Sequence, residues 1–152
     1  MSYKKHIDSD NNLTLIKNYA IKLKLDAYLV GGYVRDFILN NKSKDIDIMT
    51  IGEPYSLISN LSKEKGFSNY KIFKNFGTAS INYDSLNYEF VGARKESYNK
   101  SSRNPKVTPG LFNDDMKRRD FTINAIAISL NKDYGKLIDV YNGIEDLKNK
   151  II

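Results

Sequence analysis

The chain has 152 residues, 41% of them hydrophobic, and a formal charge of +6, which suits one domain with its own core and excludes wholesale disorder. Cysteine is absent, which rules out disulfides and thiolate metal sites and fits a reducing, cytoplasmic compartment. No apolar run is long enough for a bilayer and none follows the first lysines, so neither a membrane span nor a secretory signal is expected.

His6 lies in a polar N-terminal segment and reads as a solvated side chain. Leu13, Ile16, Tyr19, Ala20 and Leu23 then recur at helical spacing, with Asn11 or Asn12 available as a cap. Ala27 to Val30 reads as a short buried strand stopped by Gly31-Gly32, and a second helix is predicted over about Tyr33 to Leu39. After a polar turn, Lys44 to Thr50 alternates as a strand. Pro54 is placed to open a helix carrying Leu57, Ile58 and Leu61 on one face.

Tyr70 to Phe73, Phe76 to Tyr83 and Tyr88 to Arg94 are predicted strands, the last two joined by a turn over Asp84 to Asn87. Glu96 to Asn113 is polar, contains Pro105, Pro109 and Gly110, and reads as a long mobile loop able to reposition as substrate binds. Asp114 to Ile123 resumes helical character, Ala125 to Leu130 and Lys136 to Val140 read as strands, and Gly143 precedes a last helical turn. The expected class is α/β (α+β), a small mixed or antiparallel sheet flanked by helices.

Three groups of residues carry chemistry. Paired glycines between a strand and a helix let the backbone approach a ligand and aim N–H groups at a phosphate, and Arg35 adds charge from the same helix. Gly-Gly after a strand is by itself more often only a tight turn. Asp45 and Asp47, one residue apart on a strand, point to one face while Ile46 and Ile48 point to the core. Two adjacent carboxylates repel unless a cation lies between them, and oxygen-only ligands favour Mg²⁺ or Mn²⁺ over zinc. Glu89, in a strand otherwise built for burial, either occupies an exposed edge or completes that metal site.

The third group is Arg118-Arg119-Asp120-Phe121-Thr122-Ile123-Asn124, preceded by Asp115. Asp115 and Arg119 are spaced for a helical ion pair. Arginine forks also bind phosphate oxygens, and Asp or Asn reads hydroxyls, as a triphosphate and ribose require. Lys95, Lys100, Arg103, Lys106, Lys117, Arg118 and Arg119 cluster in one window, which favours a polyanionic ligand over an evenly solvated face. No serine, cysteine or histidine arrangement suggests a covalent nucleophile.

Leu29-Val30-Gly31-Gly32-Tyr33-Val34-Arg35-Asp36, Lys44-Asp45-Ile46-Asp47-Ile48 and Arg118 to Ala125 together resemble the head-domain signature of class II tRNA CCA-adding enzymes and bacterial poly(A) polymerases. These families belong to the polymerase-beta-type nucleotidyltransferases. Phe76-Gly77-Thr78, Glu89 to Glu96 and Asp139 to Leu147 resemble further elements of the family in order.

The resemblance implies one nucleotidyltransferase head domain over 1–152, Asp45 and Asp47 as Mg²⁺ ligands, and Glu89 as a third catalytic carboxylate. It implies nucleotide contacts from Gly31, Gly32, Arg35 and Arg119, with Asp120 and Asn124 on the sugar and phosphates. The implied reaction is attack of an RNA 3′-hydroxyl, that of tRNA foremost, on the α-phosphate of ATP or CTP. CCA, A-only, CC-only and poly(A) addition are not separable on these residues. The family's neck, which selects the base, has no matching motif up to Ile152, so base selection and most tRNA binding are expected from further domains or a partner chain. Rival readings are a nucleotide-binding module inactive alone and a general RNA-binding protein; the latter leaves the aspartate pair idle.

Overall fold

The computed structural model describes residues 2–98 and 106–151. Two N-terminal helices, α1 (Lys4–Ser9) and α2 (Asn11–Lys22), precede β1 (Ala27–Val30). The cap of α2 is Asp10 rather than Asn11 or Asn12: its carboxylate accepts from the amides of Asn12 and Leu13 at 2.8 and 3.0 Å. Asp10 has the extended backbone a cap needs, whereas Asn11 already lies inside the helix. His6 is not free in solvent. It stacks on Phe37 with 3.9 Å between ring centroids and hydrogen-bonds the Tyr33 hydroxyl at 2.9 Å. Burial holds its pKa below the ordinary histidine value, against an upward pull from Asp10.

Helix α3 (Gly31–Ile38) follows β1 directly, then β2 (Asp45–Thr50), α4 (Tyr55–Leu61) and β3 (Phe67–Phe73). A 3-10 turn, Lys74–Phe76, leads into β4 (Thr78–Tyr83) and β5 (Leu86–Gly92). The turn between them is shorter than expected. Tyr83 pairs with Leu86 and Asn82 with Asn87, leaving only Asp84 and Ser85, and Asp84 adopts φ +52°. Asn87 is therefore a strand residue.

The chain continues through β6 (Arg94–Ser97), β7 (Lys106–Pro109), α5 (Phe112–Lys117), a 3-10 turn at Thr122–Asn124, β8 (Ile126–Ser129), β9 (Leu137–Asp139) and α6 (Gly143–Asn149). The expected loop over Glu96 to Asn113 is thus partly regular. β6 and β7 pair antiparallel, Arg94 opposite Pro109 and Ser97 opposite Lys106. All four β7 residues are exposed, so no apolar alternation marked the strand in the sequence. Residues 99–105 of that expected loop lie outside the described residues. The helix expected to reach Ile123 stops at Lys117, and the two arginines fall just beyond it.

The main sheet has seven strands in the order β3-β4-β5-β2-β1-β8-β9, all neighbours antiparallel except β2 and β5. It has two unlike faces. Leu29, Ile46, Ile48, Tyr88, Phe90, Ile81 and Ile126 point to one face and form the main core with Leu13, Ile16 and Ala20 of α2, Val34 of α3 and Leu57, Ile58 and Leu61 of α4. Tyr28, Val30, Met49 and Ala127 point to the other face and join Met116 of α5 in a smaller cluster. Strand alternation sorts these two sets, and fully burying one such side chain contributes about 1.5–3 kcal/mol. No helix of the described residues is long and apolar enough to cross a membrane.

Candidate active site

The carboxylates gather where β2 and β5 run side by side on the less covered face. Ile46 and Ile48 are 2% and 0% exposed, so alternation puts Asp45 and Asp47 on the opposite side. The parallel register sets Asp47 beside Glu89 and Asp45 beside Asn87. Asp45 and Glu89 are exposed and Asp47 half-buried. The Asn87 amide donates to Asp45 at 3.2 Å and to Glu89 at 3.0 Å, tying the two acids together. The sequence hides Asn87 because Asp84 to Asn87 reads as a turn; its position two residues before Glu89 is the one available signal.

Burial raises the Asp47 pKa above the ordinary carboxylate range, Glu89 and Asp45 raise it further, and Arg119 and Arg35 oppose them. Among the described residues no three His, Cys, Asp or Glu side chains are grouped closely enough to hold a metal ion between them. The donors are oxygens alone, since the chain has no cysteine and its single histidine packs against Phe37 and Tyr33. Such a donor set fits a hard divalent cation that keeps part of its water shell.

Cationic groups approach Asp47 from the side of α3 and α5. The Asp115 carboxylate is 0% exposed and binds both arginines: Arg118 at 2.8 Å and 2.9 Å through one oxygen, Arg119 at 2.9 Å and 3.2 Å through the other. The ion pair suggested by the spacing of Asp115 and Arg119 is real. It leaves Arg119 Nη1 free of Asp115, donating to the Asn124 carbonyl at 3.3 Å. Asn124 in turn accepts from Arg35 through its side chain at 3.0 Å, and Arg35 also pairs with Asp36 at 2.9 Å. Asn124 thus links two of the expected nucleotide-binding arginines.

Gly31 lies at the junction. Its φ is +67°, and a Cβ placed on it would come 3.2 Å from Asp47 Oδ2 and 3.4 Å from Arg119 Nη1. Both the left-handed backbone and the lack of room call for glycine there. A Cβ on Gly32 would make only ordinary contact with Arg35, at 3.5 Å.

A cleft of about 380 Å³ collects Asp47, Glu89, Arg118 and Arg119 with Val30, Ser80, Thr78 and Phe73. Asp120 is exposed and is not among its lining residues. The sequence motifs do not single out Arg118, Ser80, Thr78 or Phe73 as site residues. Arg118 was signalled by its place in the arginine pair, whereas the other three depend on which strands meet.

The Poly A polymerase head domain family matches residues 27–152. The chain is 45% identical over 129 residues to an A-adding tRNA nucleotidyltransferase of Aquifex aeolicus, covering 84% of this chain and 16% of that protein. It is 39% identical over 129 residues to a CCA-adding enzyme of Lactobacillus helveticus, covering 84% of this chain and 30% of the relative. A solved tRNA nucleotidyltransferase, complexed with a primer tRNA and an incoming ATP analog, superimposes with a TM-score of 0.76 at 38% identity, over 90% of this chain and 37% of that one. The chain therefore spans between about a sixth and about two fifths of the length of these proteins. A family match over residues 27–152, a stretch that carries the Gly-Gly turn, the aspartate pair and the double arginine and brings Asp47, Arg118 and Arg119 into one cleft beside Gly31, places this chain in the Poly A polymerase head domain family.

Proposed function

We propose that this chain is the catalytic head of a nucleotidyltransferase that adds nucleotides from CTP and ATP to the 3′ end of RNA, tRNA foremost. The observation that carries this is the meeting of Asp47 and Glu89 with Arg118 and Arg119 in a single cleft, beside the Gly31 turn. Asp45 and Asp47 hold Mg²⁺, with Mn²⁺ as a substitute, and Glu89 is the third carboxylate. Held there, a divalent cation would supply charge neutralisation on the triphosphate and acidify the attacking hydroxyl.

The protein's own groups do the rest. The N–H groups of the Gly31-Gly32 turn and the guanidiniums of Arg35 and Arg119 orient the triphosphate, and Asn124 keeps both arginines in place. Asp120 reaches the ribose only from its exposed position. The RNA 3′-hydroxyl attacks the α-phosphate in line, the bond from that phosphorus to the bridging oxygen breaks, and pyrophosphate leaves. Glu89, exposed and beside Asp47 in the sheet, takes the hydroxyl proton in this reading. Further domains or a partner chain supply base selection and most tRNA binding, and the cytoplasm is the working compartment.

The test is incorporation of labelled CTP and ATP into a tRNA lacking its terminal CCA, with Mg²⁺ and this chain, beside Asp47→Ala. Addition of C, C and A, of A alone, or of a run of A identifies the product class. Absence of both incorporation and Mg²⁺-dependent ATP binding rejects the reading. A second reading, a head competent in nucleotide binding but inactive alone, is favoured by the fraction of its relatives that the chain spans. Mg²⁺-dependent ATP binding without incorporation would select it.

A further inference from the structure

The register of the sheet draws two parallel rows across the open face. One runs Asp47, Glu89, Ser80, Lys71, and the next runs Met49, Val91, Thr78, Phe73. Every second residue of a strand shares a face, so the catalytic carboxylates and these β4 and β3 side chains lie on one surface. Phe73 lines the same cleft as Asp47 and Glu89 and is 46% exposed. A second cavity of about 550 Å³ continues outward, lined by Tyr70, Lys71, Asn82 and Asn87, and shares Ser80 with the first.

The two sides of Asp47 differ in charge. Toward α3 and α5 lie three arginines that suit a triphosphate. Outward from Glu89 the outer cavity carries one lysine, no acidic group and several amides and hydroxyls. Phe73, an exposed ring at the mouth of the cleft, shares its strand face with Lys71 of the outer cavity. A ring, a cation and neutral hydrogen-bonding groups in sequence suit an unstacked nucleotide: a surface for the base and a charge for its phosphate. A second triphosphate would lack countercharge there.

We infer that the face formed by β5, β4 and β3 is the track for the RNA acceptor strand, with Phe73 stacking on a base near its 3′ end and Lys71 contacting the backbone. This rests on the nucleotidyl-transfer reading and adds where the acceptor lies and which residue positions it. Phe73 is a positioning residue: it sets the 3′-hydroxyl at the Glu89 side of the cleft and takes no part in bond making.

The probe is a short RNA ending in 2-aminopurine, bound by this chain with Mg²⁺ and a non-hydrolysable ATP analog. Stacking on Phe73 quenches the fluorophore. Phe73→Ala and Phe73→Leu should both relieve the quench and weaken RNA binding about tenfold, within the range lost with one base–aromatic stack. Phe73→Tyr should restore both, and ATP-analog affinity should stay unchanged in all three. Lys71→Ala should lower the salt dependence of RNA binding by about one charge. RNA affinity and quenching unchanged in Phe73→Ala and Phe73→Leu would overturn the assignment. Nucleotide binding without any RNA binding would overturn the track while leaving the nucleotide site standing. Failure to bind either would remove the reading beneath it.

Discussion

The two flanks of Asp47 are built differently. On the arginine flank Asp115, Arg118, Arg119, Asn124, Arg35 and Asp36 form a continuous chain of ion pairs and hydrogen bonds before any ligand arrives. On the flank of β4 and β3, the row of Ser80, Lys71, Thr78 and Phe73 is neutral apart from one lysine and open to solvent. On the proposed reading, a triphosphate presents the same charges each time, so a prewired cradle avoids reorganisation. A polynucleotide end must enter and move on, and a sparse surface allows that.

The difference predicts how substitutions should sort. The largest effect belongs to the boundary. Asp47→Ala should lower nucleotide transfer on the order of 10²–10³-fold or more with the fold retained by circular dichroism, the scale of losing one preorganised electrostatic group. Retained transfer would mean the cleft lies elsewhere.

Asp115→Ala comes next. Two mostly buried guanidiniums lose their shared carboxylate, so urea unfolding should show a loss of about 3 kcal/mol. ATP-analog affinity should fall with it while RNA affinity holds. An equal fall in both would dissolve the distinction between the flanks. Gly31→Ala should cost about 1–2 kcal/mol in the same assay, because φ +67° disfavours a side chain and the new methyl crowds Asp47.

Asp47→Asn should act in the opposite direction in metal-free buffer. The folded Asp47 pKa lies above the unfolded value near about 3.9, so its stabilising protonated form is present in acid and lost as pH rises through the folded pKa. The amide never ionises. Its Tm should exceed that of the parent at pH 7 by a few degrees, on the order of 2–4 °C per kcal/mol, and the gain should vanish in acid. A lower Tm at pH 7 would contradict the upward shift that burial and the neighbouring carboxylates give this group. The smallest effect is expected on the open flank, where Ser80→Ala should shift stability by no more than about 0.5 kcal/mol in urea.

Legibility followed the range of the determining interactions. The aspartate pair could be read because Ile46 and Ile48 alternate with it, and the same alternation appears in the structure as two buried and two accessible side chains. The Gly-Gly turn was visible because glycine punctuates a strand-to-helix junction. Asp10 is hard to read as the cap beside two asparagines that are also good cap residues, and β7 leaves no pattern because a solvent-exposed ribbon has no core face. His6 reads as polar in the chain and gains its burial from Phe37 and Tyr33, some thirty residues away.

What the residues settled alone was local: the class of fold, the position of most strands and helices, and the acids and arginines worth watching. Each follows from period-two alternation, 3.6-residue periodicity or the freedom of glycine, which act over a few neighbours. Pairing β2 in parallel with β5 was decided only by the tertiary structure, and that pairing brings Glu89 beside Asp47 and extends the row to Ser80 and Lys71. The same holds for Asn124 linking Arg35 to Arg119. Strand order and register depend on how the whole core packs, since a shift of one residue would turn every side chain to the other face.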